Sequence, residues 1–154
     1  MGGQCPGEPE EREMDEKEIL EELVEHFYQG WDVMPTGGGF LIITDWMLPT
    51  NERIEIHIRR VGEREDLFLV TDGGELINFL FSQGLDPAKD RETSQALNGV
   101  ADAHAIKIAE YQLVKGAAGG EIAKAVLSML EAVKEASFLL WHKVKSNPKE
   151  DSVH

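Results

Sequence analysis

The sequence lacks the features on which several classes of protein depend. Its 154 residues include a single cysteine, Cys5, which excludes an internal disulfide framework and a zinc site made of cysteines. Its longest apolar runs, residues 40–43 and 138–141, are far too short to cross a bilayer. The N-terminus has no basic segment followed by an apolar stretch, so no signal peptide is predicted. These absences predict one cytoplasmic domain, which a chain of this length can fold without disulfide bonds.

Common catalytic and cofactor motifs are missing as well. The triplet Gly37-Gly38-Gly39 lacks the lysine and the strand-to-helix setting of a phosphate-binding loop, so it predicts a hairpin turn. No two of the five histidines are three to five residues apart, the spacing expected of paired zinc ligands. No serine lies in a Gly-x-Ser-x-Gly sequence. We therefore predict no cofactor and no bound metal.

Positive charge is scarce. The chain has 15 lysines and arginines against 29 acidic residues, a net charge of −14. Ten of the acids but only two of the bases lie in residues 1–30. Direct binding to nucleic acid is disfavoured, because phosphates require clustered lysine and arginine. The acidic segment is either a solvated surface or a surface offered to a basic protein partner.

Hydrophobic periodicity predicts a single α+β domain over residues 14–146, between a disordered acidic leader (1–13) and a disordered tail (147–154). The clearest strand is 53–61, because its isoleucines alternate with polar residues. We expect a small antiparallel sheet of three to five strands with the later helices on one face and the first helix alongside. Strands are predicted at 31–35, 40–44, 53–61, 66–71 and, as a short edge strand, within 105–114; helices are predicted at about 15–30, 73–83, 90–103 and 120–145.

The last predicted helix carries an apolar seam with heptad-like spacing. Its members are Val126, Leu130, Val133, Ser137, Leu140 and Val144. The seam could pack back on the sheet or against a second copy of the chain. A homodimer through residues 120–145 is therefore one alternative.

The sequence Thr71-Asp72-Gly73-Gly74-Glu75 predicts a junction between a strand and a helix. The Asp72 carboxylate can accept from the N–H of Gly74 or Glu75, and Glu75 can reach back to the Asp72 N–H. The two glycines allow the change of direction. This pattern favours a helix cap.

The same junction has a functional alternative. Asp72 and Glu75 could form a metal or acid/base site with Asp45, Asp32 or His57, because hard cations bind converging oxygen ligands. The sequence supplies the oxygens, but it does not show that they converge.

The order of these elements resembles domain-of-unknown-function family 1828, a group of small bacterial, archaeal and phage proteins. The resemblance covers roughly residues 20–140 and rests on the 40–44 strand, the hairpin that ends in Thr-Asp-x-Gly, the helix that ends at Gly84 and the last helix. Members often show Thr-Pro after the second strand, whereas Asp45 follows Thr44 here. The resemblance implies a fold and no established reaction.

The favoured hypothesis is a non-enzymatic interaction or regulatory module, in one form a phage or mobile-element inhibitor that offers an acidic surface to a nucleic-acid-handling protein. The alternatives are the homodimeric scaffold and a small metal-dependent hydrolase or nuclease-like enzyme using Asp45, Asp72 and Glu75. The candidate interaction residues lie in a predicted loop, on the outward face of a strand and on the first helix. They are Trp46, Met47 and Leu48; His57; and Glu18, Glu22 and Glu25.

Overall fold

The computed structural model describes Glu18, Glu21 and residues 30–63 and 66–145. The α+β class and the long C-terminal helix are confirmed. The predicted leader and tail, and all but Glu18, Glu21 and Gly30 of the predicted first helix, lie outside the described residues. The elements are β1 (Asp32–Thr36), β2 (Gly39–Met47), β3 (Arg53–Arg60), β4 (Leu67–Thr71), α1 (Glu75–Ser82), α2 (Arg91–Ala103), β5 (Lys107–Ala109), β6 (Gln112–Ala118) and, after a 3-10 turn at Gly119–Glu121, α3 (Ile122–Lys145).

The strands form one antiparallel sheet in the order β1-β2-β3-β4-β6-β5. The predicted count of three to five strands is wrong, because the single strand expected within 105–114 is a hairpin of two strands. Glu110 and Tyr111 make the turn with φ of 53° and 66°. Glycine and asparagine usually occupy such left-handed positions, so these two residues give no turn signal in the sequence.

Strand β2 is longer than predicted. Its pairing with β3 shifts register between Ile43 and Met47, a β-bulge that lets the strand continue past Thr44. Trp46 and Met47 therefore belong to the strand, and the loop expected for them is wrong. Leu48 follows the strand and is buried in the core.

Among the described residues, helices cover one face of the sheet and leave the other face open. Ile54, Ile56 and Ile58 of β3 are buried as predicted. Helix α3 packs on β2, β3, β4 and β6, while α1 and α2 pack beside it. The seam of α3 is buried in these contacts from Val126 to Leu140, so within this chain it packs on the sheet, and the homodimer stays a prediction. No helix in the described part of the chain has the length and apolar character that crossing a membrane needs.

Candidate functional site

The junction between β4 and α1 is built around Asp72, whose side chain is 1% exposed. Its Oδ1 accepts from the N–H groups of Gly74 (2.9 Å) and Leu113 (3.1 Å), and its Oδ2 accepts from that of Leu76 (2.9 Å). The bond from the Gly74 N–H is the one predicted, but Gly74 and not Asp72 is the residue that directly precedes α1. Asp72 binds the first turn of α1 from two residues further back and also ties the junction to β6. Burial raises the pKa of Asp72, while the same three N–H groups oppose the rise. Both carboxylate oxygens are committed to the fold.

Glu75 does not complete the predicted capping box. The Asp72 N–H donates to the Leu113 carbonyl (3.3 Å), and Glu75 Oε1 accepts from the N–H of Glu55 in β3 (3.0 Å). The reason is that Gly74 directly precedes α1, so Glu75 is the first helical residue and not the third. The pKa of Glu75 is raised to about 7, mainly by burial and also by the negative charges of Glu55, Asp72 and Glu52, while the bond from the Glu55 N–H opposes the rise.

Gly73 separates this buried junction from a histidine on the other side. Its φ is 68°, and a Cβ atom there would lie 2.7 Å from Nε2 of His57. Gly74 also has a positive φ, 86°, but its Cβ would meet only ordinary or slightly tight contacts with the β5–β6 turn. Gly73 is thus required both for its backbone conformation and for the close approach of the His57 ring.

A cleft of about 310 Å³ lies beside this contact. We call it the His57–Arg59 cleft, because these two side chains project from the same face of β3. Register brings the other strands to it: Thr71 pairs with His57, and Thr36 and Arg59 both pair with Gly39. Its lining is completed by backbone at the β1–β2 turn and by the start of β6. The lining residues are Thr36, Gly38, Phe40, His57, Ile58, Arg59, Thr71, Gly73 and Gln112.

Two polar side chains of the cleft are bound to each other. The Thr71 hydroxyl donates to Gln112 Oε1 (2.9 Å) and accepts from the Gly73 N–H (3.1 Å). The carboxamide of Gln112 is thereby held with its acceptor occupied. The side chains of Thr36, His57 and Arg59 have no hydrogen bond or ion pair, and the Gln112 Nε2 donates to no group of the described structure.

The structure does not bring Asp45, Asp72 and Glu75 together. Asp45 Oδ1 accepts from the Trp31 indole N–H (2.5 Å), which is a separate contact from those of the junction. No group of three or more histidine, cysteine, aspartate or glutamate side chains in the described ranges is placed to hold a metal ion. Asp32 lies on the edge strand β1 and is exposed. The convergence that a metal-dependent reaction at these residues requires is not present in that part of the chain.

The other candidate residues are dispersed. Trp46 is half-buried and lies under Lys134 of α3, whose Nζ is 5.7 Å from the centre of the indole ring. Met47 is 38% exposed, and Leu48 is buried. Glu18 is half-buried in the described structure. Glu22 and Glu25 lie outside the described residues.

Of the polar residues in this cleft, His57 was a candidate from the sequence, but Thr36, Arg59 and Gln112 were not. No local pattern links these three residues, because the sheet register alone brings β1, β3 and β6 to one cleft. The alternation of β3 did carry one signal: it predicted that His57 and Arg59 share the outward face.

Comparison with known proteins found no match among protein-family models, curated proteins or solved structures. The resemblance to domain-of-unknown-function family 1828 stays a prediction from the sequence.

Proposed function

We propose that the protein is a non-enzymatic interaction module that binds a basic partner protein through the open face of its sheet. The observation that carries this proposal is the one-sided packing of the described helices, which leaves aliphatic side chains of the opposite face only half-buried. The aliphatic members of the open face are Met34, Leu41, Ile43, Leu67, Leu69 and Val114. They form two apolar patches on either side of the polar residues of β3, and exposed apolar area of this kind is typical of a docking site.

The two edge strands of the sheet make it a poor site for a partner that binds as an added strand, which favours binding on the open face. Edge strand β1 contains Pro35, which cannot donate to a further strand, and edge strand β5 has only three residues. A partner that extended the sheet would find little backbone to pair with. The open face offers more area and more apolar contact.

Charge indicates the partner. The net charge of −14 would steer a basic protein towards the chain and repel an acidic one. On the open face itself, Leu41 pairs across the sheet with His57, and Leu69 pairs with Arg59, so aliphatic groups flank the centre of β3. The partner would then be held by apolar contact after electrostatic approach.

Comparative capture tests this function. The double variant Leu41→Thr/Leu69→Thr keeps β-branched side chains in both strands while reducing apolar area on the open face. The matched control is Leu139→Gln, which removes a 51% exposed leucine from the helical side. A basic protein captured by wild type and by the control, but at least tenfold less by the double variant, is expected. Equal capture by all three folded proteins would refute the proposal.

A second form of this function uses the acidic segment instead of the sheet. Ten acids in residues 1–30 could occupy the basic groove of a nucleic-acid-handling protein, as an inhibitor does. A phage or mobile-element origin belongs to this form, because the family that the sequence resembles includes phage proteins. Neutralising Glu16, Glu18, Glu21, Glu22 and Glu25 should then abolish binding to the partner, whereas the sheet-face proposal expects slower association only.

A further inference from the structure

We infer that the His57–Arg59 cleft is a binding site for a small oxyanion, either a phosphate or a carboxylate. The inference does not rest on a protein partner, because a small anion can enter the cleft in the free protein. It rests on the hydrogen-bonding chemistry of the lining residues.

Every polar side chain that is free in the cleft can donate a hydrogen bond. Arg59 has only donors, the Gln112 amide retains its Nε2 donors, and the Thr36 hydroxyl can donate. The acceptor of Gln112 is occupied by Thr71, and the hydroxyl of Thr71 is occupied by Gln112 and Gly73. No carboxylate lines the cleft. An anion with several acceptor oxygens is the ligand that would satisfy such a set.

Arg59 is the centre of this site. Its guanidinium makes no ion pair with the residues that the structure describes, although the chain has almost twice as many acidic as basic residues. A guanidinium binds carboxylate and phosphate groups through two parallel hydrogen bonds, which are stronger than neutral ones. His57 adds a second ring donor in the tautomer or charge state that exposes an N–H to the cleft.

The net negative charge of the chain does not prevent anion binding here. At physiological salt the screening length is about 8 Å, so exposed acids further away are largely screened. Glu55 is the acid nearest along the open face of β3, and it does not line the cleft. Arg59 is the one permanently charged side chain among the described residues that line the cleft.

The size of the cleft limits the ligand. A volume of about 310 Å³ lies at the lower end of the range for ligand pockets, which begins at roughly 300 Å³. It suits one oxyanionic group with a short attached moiety.

Titration of the full ¹⁵N-labelled chain with inorganic phosphate and, separately, with succinate tests the inference. Ionic strength is held constant with sodium chloride. We expect saturable shifts of the Gly73 N–H and the Gln112 side-chain amide with at least one of the two anions, and the stronger of the two identifies the source. Absence of saturation with both anions would overturn the inference.

Two variants and one control locate the site. Arg59→Gln should weaken binding at least tenfold, and Gln112→Glu should do the same, because it keeps an acceptor for Thr71 but places a negative charge in the cleft. Arg53→Gln is the control: Arg53 is also exposed on the same face of β3 but does not line the cleft, so less than a twofold change is expected. Equal weakening by Arg59→Gln and Arg53→Gln would show non-specific attraction and refute the site. Unchanged unfolding midpoints establish that each variant is folded.

Discussion

The polar side chains on the two sides of Gly73 differ in burial and in hydrogen bonding. On the side of the β4–α1 junction, both oxygens of Asp72 accept backbone N–H groups, and the side chain is almost completely buried. On the side of the His57–Arg59 cleft, the side chains of Arg59 and Thr36 bind no group within residues 30–63 and 66–145 and are exposed. A single backbone position divides polar groups that the fold uses from polar groups that it leaves available.

This difference distinguishes polar groups that stabilise the fold from polar groups that are available to bind a ligand. A buried carboxylate is costly unless its hydrogen bonds are made, so the junction can persist only because it is saturated. An exposed guanidinium has water as its partner and can exchange that water for a ligand. The sequence Thr71–Glu75, with its glycines and acids, marks the first kind of region and lies beside the second.

The largest expected effect is the loss of Asp72. Asp72→Ala leaves the N–H groups of Gly74, Leu76 and Leu113 without their acceptor, and each such buried group costs about 1–3 kcal/mol. We expect the free energy of unfolding to fall by about 3–5 kcal/mol, measured by urea denaturation at pH 7.

Asp90→Ala is the control for this loss. Asp90 caps α2 by accepting from the Glu92 N–H and from the Thr93 hydroxyl at a half-buried position, so its removal should cost about 1–2 kcal/mol. Equal losses in the free energy of unfolding for the two variants would contradict the importance given to the three hydrogen bonds of Asp72.

Alanine at Gly73 has the next largest effect. Its φ of 68° costs an L-residue about 1–2 kcal/mol, and the new Cβ would force the His57 ring away from its position. Gly74→Ala meets similar backbone strain at φ 86° without touching His57. Denaturation should therefore give comparable losses for the two variants, whereas only Gly73→Ala should shift the His57 ring signals in NMR spectra. Displaced His57 signals in both variants would contradict the conclusion that only residue 73 contacts the His57 ring.

The strands and caps of this fold were predictable where local chemistry specifies them. The alternation in β3 and the helix that begins after Asp90 were each visible in a few neighbouring residues, and both are confirmed. The β5–β6 hairpin was not predictable, because Glu110 and Tyr111 make a left-handed turn that tertiary contacts must hold.

The cleft could be predicted only in part. Its two residues on β3 follow from alternation, but Thr36 and Gln112 reach it through strand order. Pairing of β4 with β6, and not with β5, is a long-range choice that no window of the sequence contains.

Glu75 is intermediate between the buried Asp72 and the exposed side chains of the cleft. Its substitution has the smallest expected effect on the free energy of unfolding. Burial raises its pKa from the ordinary 4.5 to about 7 although one oxygen accepts from the Glu55 N–H, and the charges of Glu55, Asp72 and Glu52 add to the rise. The folded protein therefore holds the Glu75 proton at pH values where the unfolded chain has released it. Its contribution to stability is complete below about pH 4.5 and is lost as the pH rises to about 7.

The substitution Glu75→Gln isolates this contribution, because a glutamine keeps an acceptor for the Glu55 N–H and cannot ionise. Relative to wild type, the variant should gain stability between pH 4.5 and 7, on the order of 1 kcal/mol after allowing for the solvent that screens a partly exposed group. Urea denaturation across pH 4–8 measures the difference. Glu121→Gln removes an exposed charge on the helical side and should show no such gain in this window. Parallel pH profiles for wild type and Glu75→Gln would mean that Glu75 is as well solvated as the groups of the cleft.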